Sequence, residues 1–256
     1  MNNDLLSIRN QIIITDSYTM YSLEGFSDIE LAVIYSKNKN NLIIFEKLLL
    51  KINKNEQTIN ELLLLTIKHI NTQSSIDAIK LLIKHGADVN YEGNSNWTSP
   101  IYCCLNSENI ELIELLLENG ADVNMDSGYG YSPLIHFVKK SSIDNLLEII
   151  KLLIRNGSKI NYKDEYGETA LIKCFKRKYD ELIKFNIIKL LLDNKVDIYI
   201  KNNEGKNILK IIQDKIGILS VKNYDIYSLI FNYKNLENDH FCEHDINFIY
   251  YNINFI

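Results

Sequence analysis

Several residue types that mark whole classes of protein are scarce in this chain, which has two prolines, one tryptophan and four cysteines among 256 residues. The cysteines are too few and too scattered for a disulfide framework, which favours a reducing compartment. Uninterrupted apolar segments fall well short of the ~20 residues that cross a bilayer. Residues 1–4 show neither the basic head nor the long apolar run of a signal peptide. We therefore expect an intracellular, cytoplasmic protein without membrane contact.

An excess of basic residues is also lacking. Lys and Arg number 28 against 33 Asp and Glu, which gives a net charge of −5. Nucleic acid binding depends on clustered Lys and Arg, so this balance argues against nucleic acid as the main ligand. The one candidate basic patch consists of Lys173, Lys176, Arg177 and Lys178. We interpret that patch as a solvated helix end.

The chain does contain a repeated segment, which follows a leucine-rich run each time. The segment is Gly-Ala-Asp-Val-Asn at residues 86–90 and 120–124, and Gly-Ser-Lys-Ile-Asn at 157–161. A degenerate copy, Lys-Val-Asp-Ile-Tyr, follows at 195–199. Successive copies start 34, 37 and 38 residues apart. A period of this size predicts a stacked repeat array.

Each copy predicts a helix end followed by a turn. Glycine directly after a helix adopts the left-handed conformation without a Cβ penalty, so the glycine of each copy is a predicted helix stop. Asparagine side chains often bond the backbone of the turn in which they lie. We predict such own-turn bonds for the asparagines that end the copies, Asn90, Asn124 and Asn161.

A second recurring segment predicts where the next helix begins. It reads Ser-Pro-Ile at 99–101, Ser-Pro-Leu at 132–134 and Thr-Ala-Leu at 169–171. Ser and Thr are preferred N-caps, and proline at the first helical position loses no hydrogen bond. Both prolines of the chain lie in this position. Residues that tolerate the positive φ of a tight turn precede these segments and a fourth helix start: Asn96, Gly130, Gly167 and Gly205.

Together the two segments form the pattern Gly-x-Thr-Pro-Leu-x-x-Ala followed by Leu-Leu-x-x-Gly-Ala-Asp-Val-Asn. The pattern resembles the ankyrin repeat and extends over most of the chain. The resemblance implies an all-α ankyrin-repeat solenoid of about five to six helix-turn-helix repeats with short hairpin loops. The chain departs from the family pattern at one position. Family members usually have histidine two residues after the proline, and this position holds Tyr102, Ile135, Ile172 and Lys210 here.

The resemblance also divides the chain into segments. Residues 1–24 are assigned to an N-terminal capping segment that includes a helix at 4–14, and residues 25–233 to the ankyrin repeat domain. The repeats are assigned to residues 25–55, 56–90, 91–124, 125–161, 162–199 and 200–233. Residues 234–256 form a C-terminal tail that either caps the last repeat or engages a partner.

Two repeats are longer than the family pattern. Their extra four or five residues fall at 139–145 and 176–184, close to one helical turn of about 3.6 residues. We predict lengthened helices or a longer connecting turn there, without loss of stacking. Cys104 and Cys174 lie where the family has a small residue, so buried thiols are expected.

The only cluster that invites a metal or catalytic interpretation is at residues 239–245, Asp-His-Phe-Cys-Glu-His-Asp. Structural zinc sites usually combine two ligand pairs separated by a longer loop, and a second pair is missing here. The sequence also lacks a nucleophile elbow and a phosphate-binding glycine loop. We therefore predict no metal, no cofactor and no enzymatic activity.

In ankyrin-like stacks the loops between repeats project as fingers, and the first helices line a concave face. The finger positions here are rich in aromatic residues, which supply interface area at low entropic cost. We predict partner contact at these positions: Tyr91, Glu92, Trp97, Met125, Asp126, Tyr129, Tyr131, Tyr162, Lys163, Tyr166, Lys201 and Asn203. The alternative is that these rings pack against neighbouring loops.

Three functions remain open from the sequence. The leading hypothesis is a monomeric, non-enzymatic module that binds partner proteins through its fingers and concave helix face. The second is a substrate adaptor whose C-terminal tail recruits ubiquitin-ligase machinery. The third is a metal-dependent activity of the His/Cys tail. The identity of a partner does not follow from the fold, because the fold fixes the shape of the surface and not its target.

Overall fold

All regular secondary structure in the described part of the chain is helical. The computed structural model describes residues 27–51, 56–72, 74–93, 99–102, 109–126, 130–139, 145–216 and 224–237. The predicted opening helix at 4–14, Cys104 and most of the predicted tail lie outside these residues. Contacts divide the chain into two units, Met1–Val123 and Asn124–Ile256.

The first unit consists of helices of seven to thirteen residues. These are α1 (Asp28–Ile34), α2 (Lys39–Lys51), α3 (Glu56–Lys68), α4 (Ile76–Lys84) and α5 (Ile110–Glu118). Helix α1 packs on α2 and α3 on α4, so neighbours in sequence form hairpins. The hairpins stack because α1 also contacts α3, and α2 contacts α4.

The second unit repeats this arrangement. Its helices are α6 (Pro133–Lys139), α7 (Leu146–Arg155), α8 (Ala170–Lys176), α9 (Glu181–Asp193), α10 (Ile208–Ile216) and α11 (Tyr224–Glu237). Helix α6 pairs with α7, and α8 with α9, while α6 contacts α8, α7 contacts α9 and α9 contacts α11. The hairpins α6–α7 and α8–α9 stack on each other through both of their helices, which confirms the predicted stack of helical hairpins within the unit.

The hydrophobic spacing of each helix explains its packing. In α7 the buried residues are Leu146, Ile149, Ile150 and Leu153, spaced three and four apart so that they share one face. Helix starts follow the predicted caps: the Thr169 side chain accepts a hydrogen bond from the Ile172 amide, and α6 begins at Pro133. Local sequence therefore determines both where a helix begins and which face it buries.

The predicted helix stops are confirmed. The glycines at positions 86, 120 and 157 have φ values of 92°, 86° and 88°. Lys195, which occupies the same position in the degenerate copy, also adopts a positive φ, of 61°. This conformation is unusual for a residue with a Cβ, so the repeat geometry imposes it on the lysine.

The predicted extra length is confirmed as helix in one repeat. Helix α9 has 13 residues, whereas α4 and α5 have nine each, and its additional turn lies at its N-terminal end within the predicted range 176–184. The other surplus, at 139–145, falls mostly outside the described residues. Cys174, in α8, is fully buried as expected. Helix α11 begins at Tyr224 and continues past residue 233, where the repeat domain was predicted to end, to Glu237.

The predicted role of the terminal asparagines is wrong. The Asn90 Oδ1 atom accepts a hydrogen bond from the Asp122 amide at 2.7 Å, and its Nδ2 group donates to the Gly120 carbonyl at 2.9 Å. Both partners belong to the next copy of the segment. The aspartate two residues earlier bonds the turn instead, since Asp88 Oδ1 accepts from the Asn90 amide at 2.8 Å. The asparagine therefore connects repeats, and the aspartate closes the turn.

Candidate partner-binding surface

Two successive fingers of the second unit are each held by one buried side chain at the base. Asp164 Oδ1 accepts hydrogen bonds from the amides of Tyr166 and Glu168, at 2.9 and 2.8 Å. In the next finger Asn202 Oδ1 accepts from the amides of Glu204 and Lys206, at 3.0 and 2.9 Å. Asp164 and Asn202 are both 6% exposed. The loops are therefore ordered by their own sequence and not only by packing.

Neighbouring fingers are also joined to each other. The backbone amide of Asn203 donates to the Tyr166 carbonyl at 3.0 Å, and its side-chain amide donates to the Glu165 carbonyl at 2.9 Å. Gly167 makes this approach possible, because a Cβ there would lie only 2.5 Å from Asn203 Oδ1. The two fingers thus form one continuous surface.

Tyrosine hydroxyls join this pair of fingers to the preceding one. The Tyr131 hydroxyl donates to Glu165 at 3.1 Å, and the Tyr162 hydroxyl donates to Asp126 at 2.8 Å. Partial burial and the Asp126 carboxylate raise the pKa of Tyr162, so its hydroxyl stays protonated and remains a donor. Three successive fingers are therefore connected through side chains.

An ion cluster lies beneath the middle finger. Lys173 Nζ is 2.6 Å from Asp164 and 2.7 Å from Glu168, and Lys176 also pairs with Glu168. Burial by itself raises the pKa of Glu168, but hydrogen bonds from the two lysines outweigh it and hold the pKa below its ordinary range. Burial alone lowers the pKa of Lys173, but the two carboxylates raise it. Glu168 and Lys173 are therefore both charged at neutral pH.

This cluster corrects the interpretation of the basic patch. Lys173 was expected at a solvated helix end, yet its side chain is only 14% exposed and is enclosed by carboxylates. A usable signal was present in the sequence, because Asp164 and Glu168 lie within a few residues of the lysines. We missed it because the pairing joins a finger to a helix, and a pattern of positive residues alone does not show such a contact.

Among the described residues of these fingers, Tyr166 is the most exposed aromatic side chain. It is 55% exposed, and the Lys173 ammonium lies 4.8 Å from the centre of its ring. The Glu165 carboxylate beside it raises the pKa of Tyr166. The ring is therefore presented to solvent from a turn whose backbone is held by Asp164 and Asn203.

The structure places the other predicted contact residues in three groups. Glu92, Asp126, Lys163, Lys201 and Asn203 are exposed, and Tyr91, Met125 and Tyr162 are partly exposed. Trp97 and Tyr129 lie outside the described residues. Tyr131 is 6% exposed and its ring is covered by Lys139, whose Nζ lies 4.1 Å from the ring centre. Tyr131 therefore supports neighbouring fingers and offers little surface to a partner.

One exposed aromatic residue was not among the predicted contacts. Tyr199 is 41% exposed and takes the position that asparagine holds in the earlier copies. The signal was the break in the repeat at residues 195–199, which the sequence interpretation treated only as degeneration. An exposed ring where other repeats have an inter-repeat asparagine is a further candidate for contact.

Two other kinds of site can be checked among the described residues, a metal site and a membrane span. No group of three or more His, Cys, Asp or Glu side chains there is arranged to hold a metal ion. Nor does any helix in this part of the chain have the length and apolarity to cross a membrane. The cluster at 239–245, the basis of the metal hypothesis, lies outside the described residues.

Comparison with known proteins agrees with the geometry. A family model described as ankyrin repeats (three copies) matches residues 31–127 and 103–202. No curated protein matches the chain. The matched residues cover most of the hairpins of both units. The chain therefore belongs to the ankyrin repeat family, whose members are generally protein–protein interaction modules and typically not enzymes.

Proposed function

We propose that this chain is a non-enzymatic module that binds a partner protein through the fingers of its second unit. The contact surface, which we call the finger surface, comprises Asp126, Tyr162, Lys163, Tyr166, Lys201 and Asn203. The observation that carries the proposal is the exposure of Tyr166 on a turn ordered by Asp164. An aromatic side chain that is both exposed and held in place is what an interface centre requires.

The finger surface is ordered before a partner binds. Binding loses affinity when loops and side chains must be fixed at the interface, at roughly 0.5–1.5 kcal/mol for each flexible side chain. The contacts of Asn203 with Tyr166 and Glu165 already fix the backbone of the middle finger. A partner would therefore meet a surface that has already lost much of its conformational entropy.

The charges of the finger surface indicate the chemistry of the partner. Lys163 and Lys201 are exposed cations and Asp126 is an exposed carboxylate, and the exposed carboxylate of Glu165 lies next to the surface. Because both signs are present around the Tyr166 ring, we propose a partner with an apolar centre and a mixed polar rim. The concave side is proposed to contribute through Lys139 and Lys176 of the first helices, with the protein acting as a monomer inside the cell.

Quantitative affinity capture tests this proposal. Full-length protein would be used as bait in cells that express it, in three forms: wild type, a Tyr166→Ser/Lys163→Glu double variant and a Glu114→Lys control. Glu114 is exposed on α5 of the first unit and is not part of the finger surface. The double variant is expected to lose at least about tenfold of a partner that the control retains. Full recovery of every partner by the double variant would show that the finger surface is wrong.

A further inference from the structure

Helices α9 and α11 of the second unit leave an apolar groove between them. The groove has a volume of about 530 Å³, and its apolar walls are Leu182 and Phe185 of α9 and Ile226 and Leu229 of α11. Leu182 is 67% exposed, which is unusual for leucine in a packed helix. Such a surface is typical of a docking site for another segment.

The groove arises from the lengthened helix. Leu182 and the adjacent Ile183, which is 41% exposed, lie in the first turn of α9, the turn by which it exceeds α4 and α5. The side chains of α9 further along, such as Ile187 and Ile188, are fully buried. The extra turn therefore carries apolar side chains beyond the region that the neighbouring helices cover.

We propose that residues 246–256 of this chain dock in the groove. This segment reads Ile-Asn-Phe-Ile-Tyr-Tyr-Asn-Ile-Asn-Phe-Ile and lies outside the described residues. The inference concerns a different surface from the finger surface and does not depend on it. Of the two roles considered for the tail, it favours capping, and it names the groove as the place where the tail binds.

The residues that connect α11 to the segment are long enough for the segment to reach the groove. Helix α11 forms one wall of the groove and ends at Glu237, after which residues 238–245 lead to the segment. Those connecting residues span up to ~26 Å when extended. The distance along α11 from its last residue, Glu237, to Leu229 in the groove wall is only about 12 Å. The segment can therefore return along α11 without strain.

The chemistry of the segment matches the groove. Its isoleucine and phenylalanine side chains suit the apolar walls, and it contains no charged side chain. Two carboxylates, Glu181 and Asp225, lie among the groove residues. The asparagine amides and tyrosine hydroxyls of the segment are donors for those carboxylates, so docking introduces no like-charge repulsion. A tether of this length also gives an effective concentration near the millimolar range, which favours the segment over a free competitor.

Protection of the tail from chymotrypsin tests the proposal on the full chain. The tail contains cleavage sites at Phe248, Tyr250, Tyr251 and Phe255. The cleavage rate would be compared with that of a free peptide of residues 238–256, which gives a protection factor. We expect protection of at least about tenfold in the wild type, because cleavage follows the population of the undocked form. The protection factor should fall towards one in the Leu182→Asp variant.

Matched variants separate docking from a general effect. Ile43→Asp places the same charge on α2 of the first unit, at another exposed apolar residue, and should leave protection unchanged. Ile249→Asp in the segment, compared with a peptide carrying the same change, should remove protection even if Leu182→Asp fails to fold. Circular dichroism would confirm that each variant keeps its helices.

Three outcomes would overturn the proposal. The first is a wild-type tail that is cleaved as fast as the free peptide, which leaves the groove to an external partner. The second is equal protection in Ile249→Asp and wild type. The third is protection that disappears on dilution, which would show that the segment docks on a second copy of the chain.

Discussion

The carboxamide of Asn124 binds the backbone around Lys159, 35 residues further along the chain. Its Oδ1 atom accepts from the Lys159 amide at 2.7 Å, and its Nδ2 group donates to the Gly157 carbonyl at 3.0 Å. Asn161 makes the corresponding contact with the Asp197 amide at 2.8 Å. These bonds join consecutive repeats and fix the spacing between their turns.

Replacing Asn124 should weaken the coupling between repeats. Asn124→Ala removes two hydrogen bonds, each worth roughly 0.5–1.5 kcal/mol, so the free energy of unfolding should fall by about 1–3 kcal/mol in urea titrations. Asn156→Ala is the matched control, because Asn156 donates only to Leu152 within its own repeat, at 2.9 Å. Equal losses in the two variants would contradict a special role for the inter-repeat bond.

The close approach of two fingers at Gly167 can be tested by comparing how much an alanine destabilises the protein at Gly167 and at Gly205. Both glycines have positive φ, 71° and 74°, but a Cβ at Gly205 meets no atom within 4 Å, whereas one at Gly167 would lie 2.9 Å from the Asn203 amide nitrogen. Gly205→Ala should cost about 1 kcal/mol of unfolding free energy for the conformation alone. Gly167→Ala should cost about 1–3 kcal/mol more, because backbone must move. Equal thermal shifts would mean that the fingers do not touch.

The ion cluster should make stability depend on pH in the acid range. The pKa of Glu168 is lower in the folded chain than in the unfolded one, so its contribution is present above the ordinary glutamate pKa of about 4.3 and is lost as pH falls through the folded value. Glu168→Gln should lower the unfolding free energy at pH 7 by about 1–3 kcal/mol and flatten its acid dependence.

Glu114→Gln provides the comparison for that experiment, because Glu114 is exposed on α5. Chemical unfolding at several pH values between about 3 and 7 would measure both variants beside the wild type. If Glu168→Gln followed the wild-type pH dependence, the cluster would contribute nothing through the ionisation of Glu168.

Cys174 should be unreactive in the folded protein. It is fully buried, and burial raises the pKa of its thiol to about 12, so almost no thiolate exists at neutral pH. Iodoacetamide labelling followed by peptide mass spectrometry should find Cys174 unmodified in buffer and fully modified in denaturant. Rapid labelling at a rate independent of denaturant would contradict the burial of α8 against its neighbours.

Helix starts and helix ends were predictable because they depend on residues close in sequence. The Ser-Pro segment at 132–133 begins α6, and the glycines at 86 and 120 end α4 and α5 through their own backbone conformation. The additional turn of α9 was also predictable, since extra residues between two fixed markers must be accommodated locally.

The partners of individual polar side chains were not predictable in the same way. The motif shows that position 124 is asparagine, but its bonds to Gly157 and Lys159 depend on how repeats stack. Lys173 was interpreted as solvated for a similar reason, since Asp164 and Glu168 reach it only when the finger folds over α8. Tyr131, predicted at a contact surface, is buried by that same stacking.

The sequence by itself determined the repeat, its period and the boundaries of its helices, because capping, glycine conformation and hydrophobic spacing act over a few residues. Only the tertiary structure decided which finger residues are exposed, which charges neutralise each other and where α9 leaves an apolar groove. Those features arise where one repeat lies against the next. Their energies depend on distances between residues some 35 positions apart, which a repeating pattern alone does not specify.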